Sequence, residues 1–131
     1  MLTLAAFALA ALSALADEPV SKEPPRGKTF VVDISGEIDL GLTPYVERIL
    51  SKTTADDLML LHVNTFGGRI DAAVQIRDAL LGAKAKTAAF VDARAISAGA
   101  LISLATDTII MSHGATIGAA TPVQIEGVAV L

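Results

Sequence analysis

The chain has 131 residues, 53% of them hydrophobic, and this length suffices for one domain with a single core. Its 10 basic and 14 acidic residues give a net charge of −4, and no run of Lys or Arg forms a basic face, which excludes a typical nucleic-acid-binding surface. The sequence has no cysteine, so disulfides, thiolate catalysis and thiolate metal sites are excluded. The two histidines, His62 and His113, are too few for a metal cage without carboxylates, and we expect no metal and no organic cofactor.

The N-terminal segment has the composition of an export signal. Residues 1–16 carry no charged side chain, are rich in Leu and Ala, and end in Ala14-Leu15-Ala16, a pattern typical of a signal-peptidase site. Sixteen residues are too few for a comfortable membrane span, which needs about 20. We expect a signal peptide at 1–16 and export across the cytoplasmic membrane; an N-terminal helix packed in the core is the alternative.

Residues 17–28 contain three Pro, one Gly and six charged residues, a composition that cannot form a regular ladder and indicates a linker. From residue 29 the pattern becomes regular, because short β-prone or apolar runs alternate with segments of helical periodicity. Strands are predicted at 30–34, 58–63, 87–91 and 108–111, and helices at 43–52, 69–81 and 95–106. This order predicts an α/β domain over 29–131, with a mainly parallel sheet and right-handed crossovers.

Three loops should meet at one edge of this sheet, because ligands of open α/β sheets bind beyond the carboxyl ends of the strands. They are residues 64–68, 92–96 and 114–121. The first contains Gly67 and Gly68, whose backbone N–H groups can approach a substrate carbonyl closely, as an oxyanion hole requires. We therefore expect Gly68 to tolerate no side chain, because its backbone approaches the substrate.

Ser97 lies between small residues at the start of an apolar, helix-prone segment, 30 residues after Gly67. At a helix N-terminus, a serine hydroxyl and the following N–H groups lie where a developing oxyanion is favoured. The alternative is that Ser97 only caps the helix, since Ser is a favoured N-cap residue. Arg94, three residues earlier, is a candidate for binding substrate carbonyls or an acidic partner, with a loop salt bridge as the alternative.

The segments VNTFGGRIDAAVQIRDAL and ARAISAGALISLATDTIIMSHGATIGAATPV resemble the NfeD-like membrane serine proteases, or stomatin-operon partner proteins, of the Clp-protease/crotonase superfamily. The resemblance covers about residues 29–123. It implies a Clp-protease/crotonase-like fold of stacked ββα units, C-terminally incomplete in this chain, with Ser97 as nucleophile. It also implies an oxyanion hole made by Gly67, Gly68 and the N–H of Ala98. Phe66 stands where this loop more commonly has Pro, and is a second candidate for substrate binding.

The general base separates the subfamilies that the chain resembles. Clp proteases use a His roughly 25 residues after the Ser, a spacing that falls among residues 118–122, where there is no His. His113 is out of that register and is interpreted as a turn or edge residue, and His62 as a satisfied core residue. NfeD-like proteases pair Ser with Lys, and the resemblance places that Lys roughly forty residues after Ser97, beyond Leu131.

The resemblance implies a membrane-associated serine endopeptidase of the Ser-Lys type. Its substrates would be apolar peptide segments such as the tail of a stomatin-like membrane protein, and its membrane segments would follow Leu131. It also implies a homo-oligomer, a dimer or larger. A non-catalytic Clp-fold module that binds peptides or supports assembly, and a protease like signal peptide peptidase A, are the alternatives. Because every Lys of the chain precedes Ser97, we expect these 131 residues alone to be inactive.

Overall fold

Strands and helices alternate along the described part of the chain, which in this computed structural model is residues 26–121. The predictions for residues 1–16, and most of the linker at 17–28, lie outside these residues. The elements are β1 (Thr29–Ile38), α1 (Leu42–Leu50), β2 (Leu58–Gly68), α2 (Ile70–Leu81), β3 (Lys86–Ile96), α3 (Ala98–Leu104), β4 (Thr108–Met111) and β5 (Thr116–Gly118).

All strands of the sheet are parallel, in the order β1-β2-β3-β4. Strand β5 lies on the same edge of β3 as β4 does, but it pairs with residues 94–96, whereas β4 pairs with residues 88–91. The three helices contribute to one core against the inward-facing side chains of the sheet. The predicted mainly parallel α/β architecture is therefore confirmed. Strand β5 was not predicted, because three residues in a run of small side chains carry no hydrophobic period.

Alternation along β2 shows how the core is built. Met59, Leu61 and Val63 are fully buried, whereas the residues between them are partly exposed. Full burial of side chains of this kind contributes about 1.5–3 kcal/mol each. Helix α2 completes this core with Ala72, Ala73, Ile76 and Leu80, and α1 contributes Val46. Of the described residues, none belongs to a helix with the length and apolar character that a membrane span requires.

Three of the strands are longer than predicted, and their extra residues lie at the carboxyl-terminal edge of the sheet. Strand β1 continues beyond its predicted end at residue 34, with a register shift between Ser35 and Glu37, and β2 continues to Gly68 with a shift between Val63 and Thr65. Strand β3 continues to Ile96, where β5 pairs with it. Two of the segments predicted to be loops, 64–68 and 92–96, are thus irregular but hydrogen-bonded strand ends, and the third, 114–121, contains β5.

His62 does not lie in the core, and the prediction that it does is wrong. Its position in β2 is in phase with the partly exposed residues, so the ring lies on the sheet face opposite the helices, 37% exposed. The ring nitrogens lie 2.9 Å from Asp33 and 3.3 Å from Asp92, and the ring stacks on Phe90. Hydrogen bonding to Asp33, with a smaller effect of Asp92, raises the His62 pKa despite partial desolvation.

Candidate active site

Ser97 is the single residue between the end of β3 and the start of α3. Its backbone has φ +55° and ψ −116°, a conformation that residues with a side chain rarely adopt. Such strain costs about 1–3 kcal/mol and persists only where the surroundings enforce it. Although Ser97 occupies the N-cap position, its side chain makes no capping hydrogen bond. The capping interpretation therefore does not explain this serine.

Backbone hydrogen bonds hold the bend on both sides of Ser97. Its N–H donates to the carbonyl oxygen of Gly118 in β5 at 2.9 Å, and its own carbonyl oxygen accepts the N–H of Leu101 at 3.1 Å. Strand β5 thus fixes the strand side of the bend, and the first turn of α3 fixes the helix side. A sharp, strained turn from strand to helix is the geometry that presents the catalytic serine of α/β-hydrolases.

The glycine pair and the serine come together as the sequence predicts. A methyl group built on Gly67 would lie 2.8 Å from Cβ of Ser97 and 3.3 Å from the N of Ala98, so only glycine permits this approach. Gly67 also has φ +111°, which favours glycine. Within residues 26–121 the N–H of Ala98 donates to no other group, and it lies at the same place.

The N–H groups of the two glycines have different surroundings. The Gly67 N–H donates to the hydroxyl oxygen of Thr65 at 2.9 Å and is therefore engaged. The N–H of Arg69, the residue after Gly68, donates to the carbonyl oxygen of Ile38 in β1 at 2.8 Å. Because N–H directions alternate along a strand, the N–H of Gly68 points away from β1.

The structure changes the physical reason for a glycine at position 68. A Cβ on Gly68 would lie 2.2 Å from the carbonyl oxygen of Ile38, so its close neighbour is strand β1. The sequence-based expectation attributed the same intolerance to the substrate. A substitution here would therefore disturb the sheet itself, and would not serve as a clean probe of an oxyanion hole.

Phe66 and Arg94 form a pair beside the glycines. The guanidinium carbon of Arg94 lies 4.4 Å from the centre of the Phe66 ring, a cation–π arrangement, and the Phe66 side chain is 73% exposed. No ion pair involves Arg94 in the described part of the chain, so the alternative of a loop salt bridge is not seen there.

The Phe66–Arg94 pair borders two open clefts of about 560 and 440 Å³. The larger cleft is lined by Gly36, Glu37, Asn64, Thr65, Phe66, Gly67, Gly68 and Arg94. The smaller is lined by Phe66, Asp92, Ala93, Arg94, Ile96, His113, Gly114 and Thr116. Ser97 lines neither cleft itself, but its neighbours Gly67 and Ile96 each line one of them.

The charged groups near the site do not pair with Ser97. His113 lies in an exposed turn after β4, as interpreted from the sequence, and among residues 26–121 the Ser97 hydroxyl has no hydrogen-bond partner. Arg69 and Asp71 form an exposed ion pair at the start of α2, and the hydrogen bond from Arg69 lowers the Asp71 pKa. No cluster of three or more His, Asp or Glu side chains suited to a metal ion occurs between residues 26 and 121.

Thr65 is the site residue that sequence reasoning missed. It is 2% exposed and lies on the inward phase of β2, in line with Met59, Leu61 and Val63. The signal was present in the sequence, since a hydroxyl on the buried phase of a strand requires a hydrogen-bond partner nearby.

The sequence is similar to a known protein family and to one of its named members. The model of the NfeD1b N-terminal domain matches residues 28–130. The chain is 33% identical over 100 residues to the membrane protein NfeD1b of Bacillus subtilis (strain 168), an alignment that covers 75% of this chain and 23% of that protein.

Solved structures with a similar fold include two of the 1510-N protease. One is a variant of the 1510-N membrane-bound stomatin-specific protease in complex with a substrate peptide (26% identity, TM-score 0.66, 76% of this chain and 48% of that one). The other is the 1510-N membrane protease specific for a stomatin homolog from Pyrococcus horikoshii (27% identity, TM-score 0.61, 72% and 50%). This chain thus spans about half the length of these structures and about a quarter of NfeD1b.

Proposed function

The chain belongs to the family of NfeD1b N-terminal domains, and on this premise we propose that it is the serine-peptidase domain of a membrane-associated protein, with Ser97 as nucleophile. The similarity to membrane proteases supports a protease-like function. The observation that carries the assignment to Ser97 is its strained bend, held between β5 and α3 and approached by Gly67.

In the proposed reaction the Oγ of Ser97 attacks the carbonyl carbon of the scissile peptide bond. The carbonyl oxygen then becomes an oxyanion, which we assign to the N–H groups of Gly68 and Ala98. The Ala98 N–H makes no bond within residues 26–121, and the Gly68 N–H points away from β1. Gly67 contributes by the absence of a side chain, because its own N–H is engaged by Thr65. Donors fixed in this way stabilise the transition state by about 3–4 kcal/mol each.

The serine hydroxyl requires a base, and we assign that role to a lysine beyond Leu131. A lysine acts as a base near neutral pH when burial lowers its pKa enough to leave the amine neutral. The 1510-N structure with a bound peptide is that of a lysine-to-alanine variant, which supports a dyad of this type. The 131-residue chain should accordingly hydrolyse no peptide, and Ser97 should react slowly with a fluorophosphonate.

We assign substrate contacts to the two clefts that meet at Phe66 and Arg94. An extended peptide crossing this pair would place apolar side chains against the exposed Phe66 ring and a backbone carbonyl near the Arg94 guanidinium. By analogy with 1510-N, a stomatin-like membrane protein is the proposed substrate. Export, a homo-oligomeric state and membrane segments after Leu131 complete the proposal.

The test uses the full-length protein that contains this domain. Ser97→Ala should abolish cleavage of apolar peptides, whereas Ser112→Ala should not. Ser112 is a suitable control because it is in the turn after β4 and only its backbone N–H bonds to the sheet. A full-length protein that binds peptide equally well with and without Ser97→Ala, and cleaves it in neither case, would exclude the peptidase. The non-catalytic peptide-binding module would then take its place. An active 131-residue chain would contradict the lysine assignment and direct attention to His113.

A further inference from the structure

We infer that Thr65 is a positioning residue that holds both oxyanion donors in place, an inference that rests on the proposed function. Its side chain touches three separate segments: the bend of β1 at Gly36, the glycine pair through Gly67, and helix α3 at Gly99.

The Thr65 hydroxyl satisfies a donor and an acceptor at once. Its single proton is donated to the carbonyl oxygen of Gly36, while its oxygen accepts the Gly67 N–H at 2.9 Å. The carbonyl oxygen of Gly67, at 3.3 Å, is the more distant of the two possible acceptors. Because Thr65 is buried, water does not compete for these bonds. The orientation of the Gly67 peptide is thus set by the Thr65 side chain.

Two adjacent glycines need such a restraint. Glycine explores φ and ψ more widely than any other residue, so an unrestrained Gly67-Gly68 segment would sample many orientations of the Gly68 N–H. An oxyanion hole accelerates a reaction only if its donors are already oriented before charge develops. By holding the Gly67 N–H at its hydroxyl oxygen, Thr65 restricts the φ and ψ values open to Gly67 and so limits the orientations of the adjoining Gly68 N–H.

The methyl group of Thr65 contacts helix α3, which carries the second proposed donor. A Cβ on Gly99 would lie 2.4 Å from Cγ2 of Thr65, so the methyl group packs directly against the α3 backbone. Gly99 follows Ala98, whose N–H is the second proposed donor. One side chain therefore sets the distance between the glycine pair and the helix that carries Ser97.

The test compares Thr65→Val, which keeps the shape and removes the hydroxyl, with Thr65→Ser, which keeps the hydroxyl. In the full-length protein, Thr65→Val should lower kcat for an apolar peptide at least tenfold with little change in KM. Thr65→Ser should restore kcat to within about threefold of wild type. Amide hydrogen exchange at Gly67, measured in the same proteins, should accelerate in Thr65→Val alone.

Thr87→Val is the matched control. Thr87 is also buried, and its hydroxyl also acts as donor and acceptor, with Asp107 at the opposite end of the sheet. Losing that hydroxyl should reduce stability and leave kcat unchanged.

Three outcomes would overturn the inference: Gly67 exchange in Thr65→Val at the wild-type rate, equal kcat losses in Thr65→Ser and Thr65→Val, or an equal kcat loss in Thr87→Val. If Thr65→Val does not fold, Thr65→Ser still decides, because a kcat loss of tenfold or more in a variant that keeps the hydroxyl would show that the hydroxyl bonds do not hold the donors in place. Hydrolysis that survives Ser97→Ala would refute Ser97 as the nucleophile and, with it, the catalytic role of Thr65. The exchange measurement would separately decide whether Thr65 holds the glycine pair.

Discussion

Replacing Ser97 by glycine should stabilise the fold relative to replacing it by alanine. At φ +55° and ψ −116°, Ser97 has the backbone of the first central residue of a type II′ turn, a position dominated by glycine. The strain at such a residue is about 1–3 kcal/mol, and alanine retains it because alanine has a Cβ. Glycine releases it and gives back about 0.4–1 kcal/mol through the greater freedom of the unfolded chain. The difference is about 1 kcal/mol in favour of Ser97→Gly, with a range from about 0 to 2.6.

The assay is thermal unfolding followed by circular dichroism for the two variants side by side. A difference of 1 kcal/mol corresponds to a shift of about 4 °C or more in a domain of this size. The same pair of substitutions at Ser112 serves as control, since φ is not positive there, and glycine should be the less stable of the two. If Ser97→Gly unfolds below the midpoint of Ser97→Ala, the bend is not strained and the reasoning from its geometry fails.

Three further predictions concern other parts of the structure. Gly68→Ala should lower the free energy of unfolding in urea by about 1–3 kcal/mol, because its Cβ would lie 2.2 Å from a β1 carbonyl oxygen. Gly82→Ala is the control and should cost less, because the nearest atom to its Cβ would lie at 3.6 Å. Equal losses of stability in the two variants would contradict the clash at position 68. Hydrogen bonding to Asp33 raises the His62 pKa above 6.5, so this pair stabilises the fold fully below pH 6.5 and loses its effect as pH rises through the raised pKa. The stability advantage of wild type over His62→Gln should therefore shrink between pH 6 and 9, and a constant advantage would rule this out. Phe66→Ala should change stability by less than about 1 kcal/mol, because the ring is exposed, and should raise KM for apolar peptides; an unchanged KM would remove Phe66 from the substrate site.

The sequence was sufficient for the order of β1 to β4 and the three helices between them, and for the meeting of Gly67 with Ser97. Long hydrophobic periods report which face of a helix or strand is buried, and parallel strands place their carboxyl ends at one edge. These two rules bring together segments that lie 30 residues apart.

Local pattern could not predict what depends on pairing between distant strands. The extension of β2 through Thr65 to Gly68 needs β1 and β3 as partners, and β5 is recognisable only by its contact with β3. His62 shows the same limit. It lies within a nearly continuous apolar run and was therefore interpreted as a core residue, but only one face of the described sheet is covered by helices.

The central claim is that Ser97 reacts as a nucleophile, and covalent labelling tests it most directly. The full-length protein is treated with a fluorophosphonate, and the modified residue is located by peptide mass spectrometry. We predict a single adduct on Ser97, retained in Ser112→Ala and absent in Ser97→Ala. An adduct on another residue, or peptide hydrolysis that continues with Ser97 unmodified, would contradict the account.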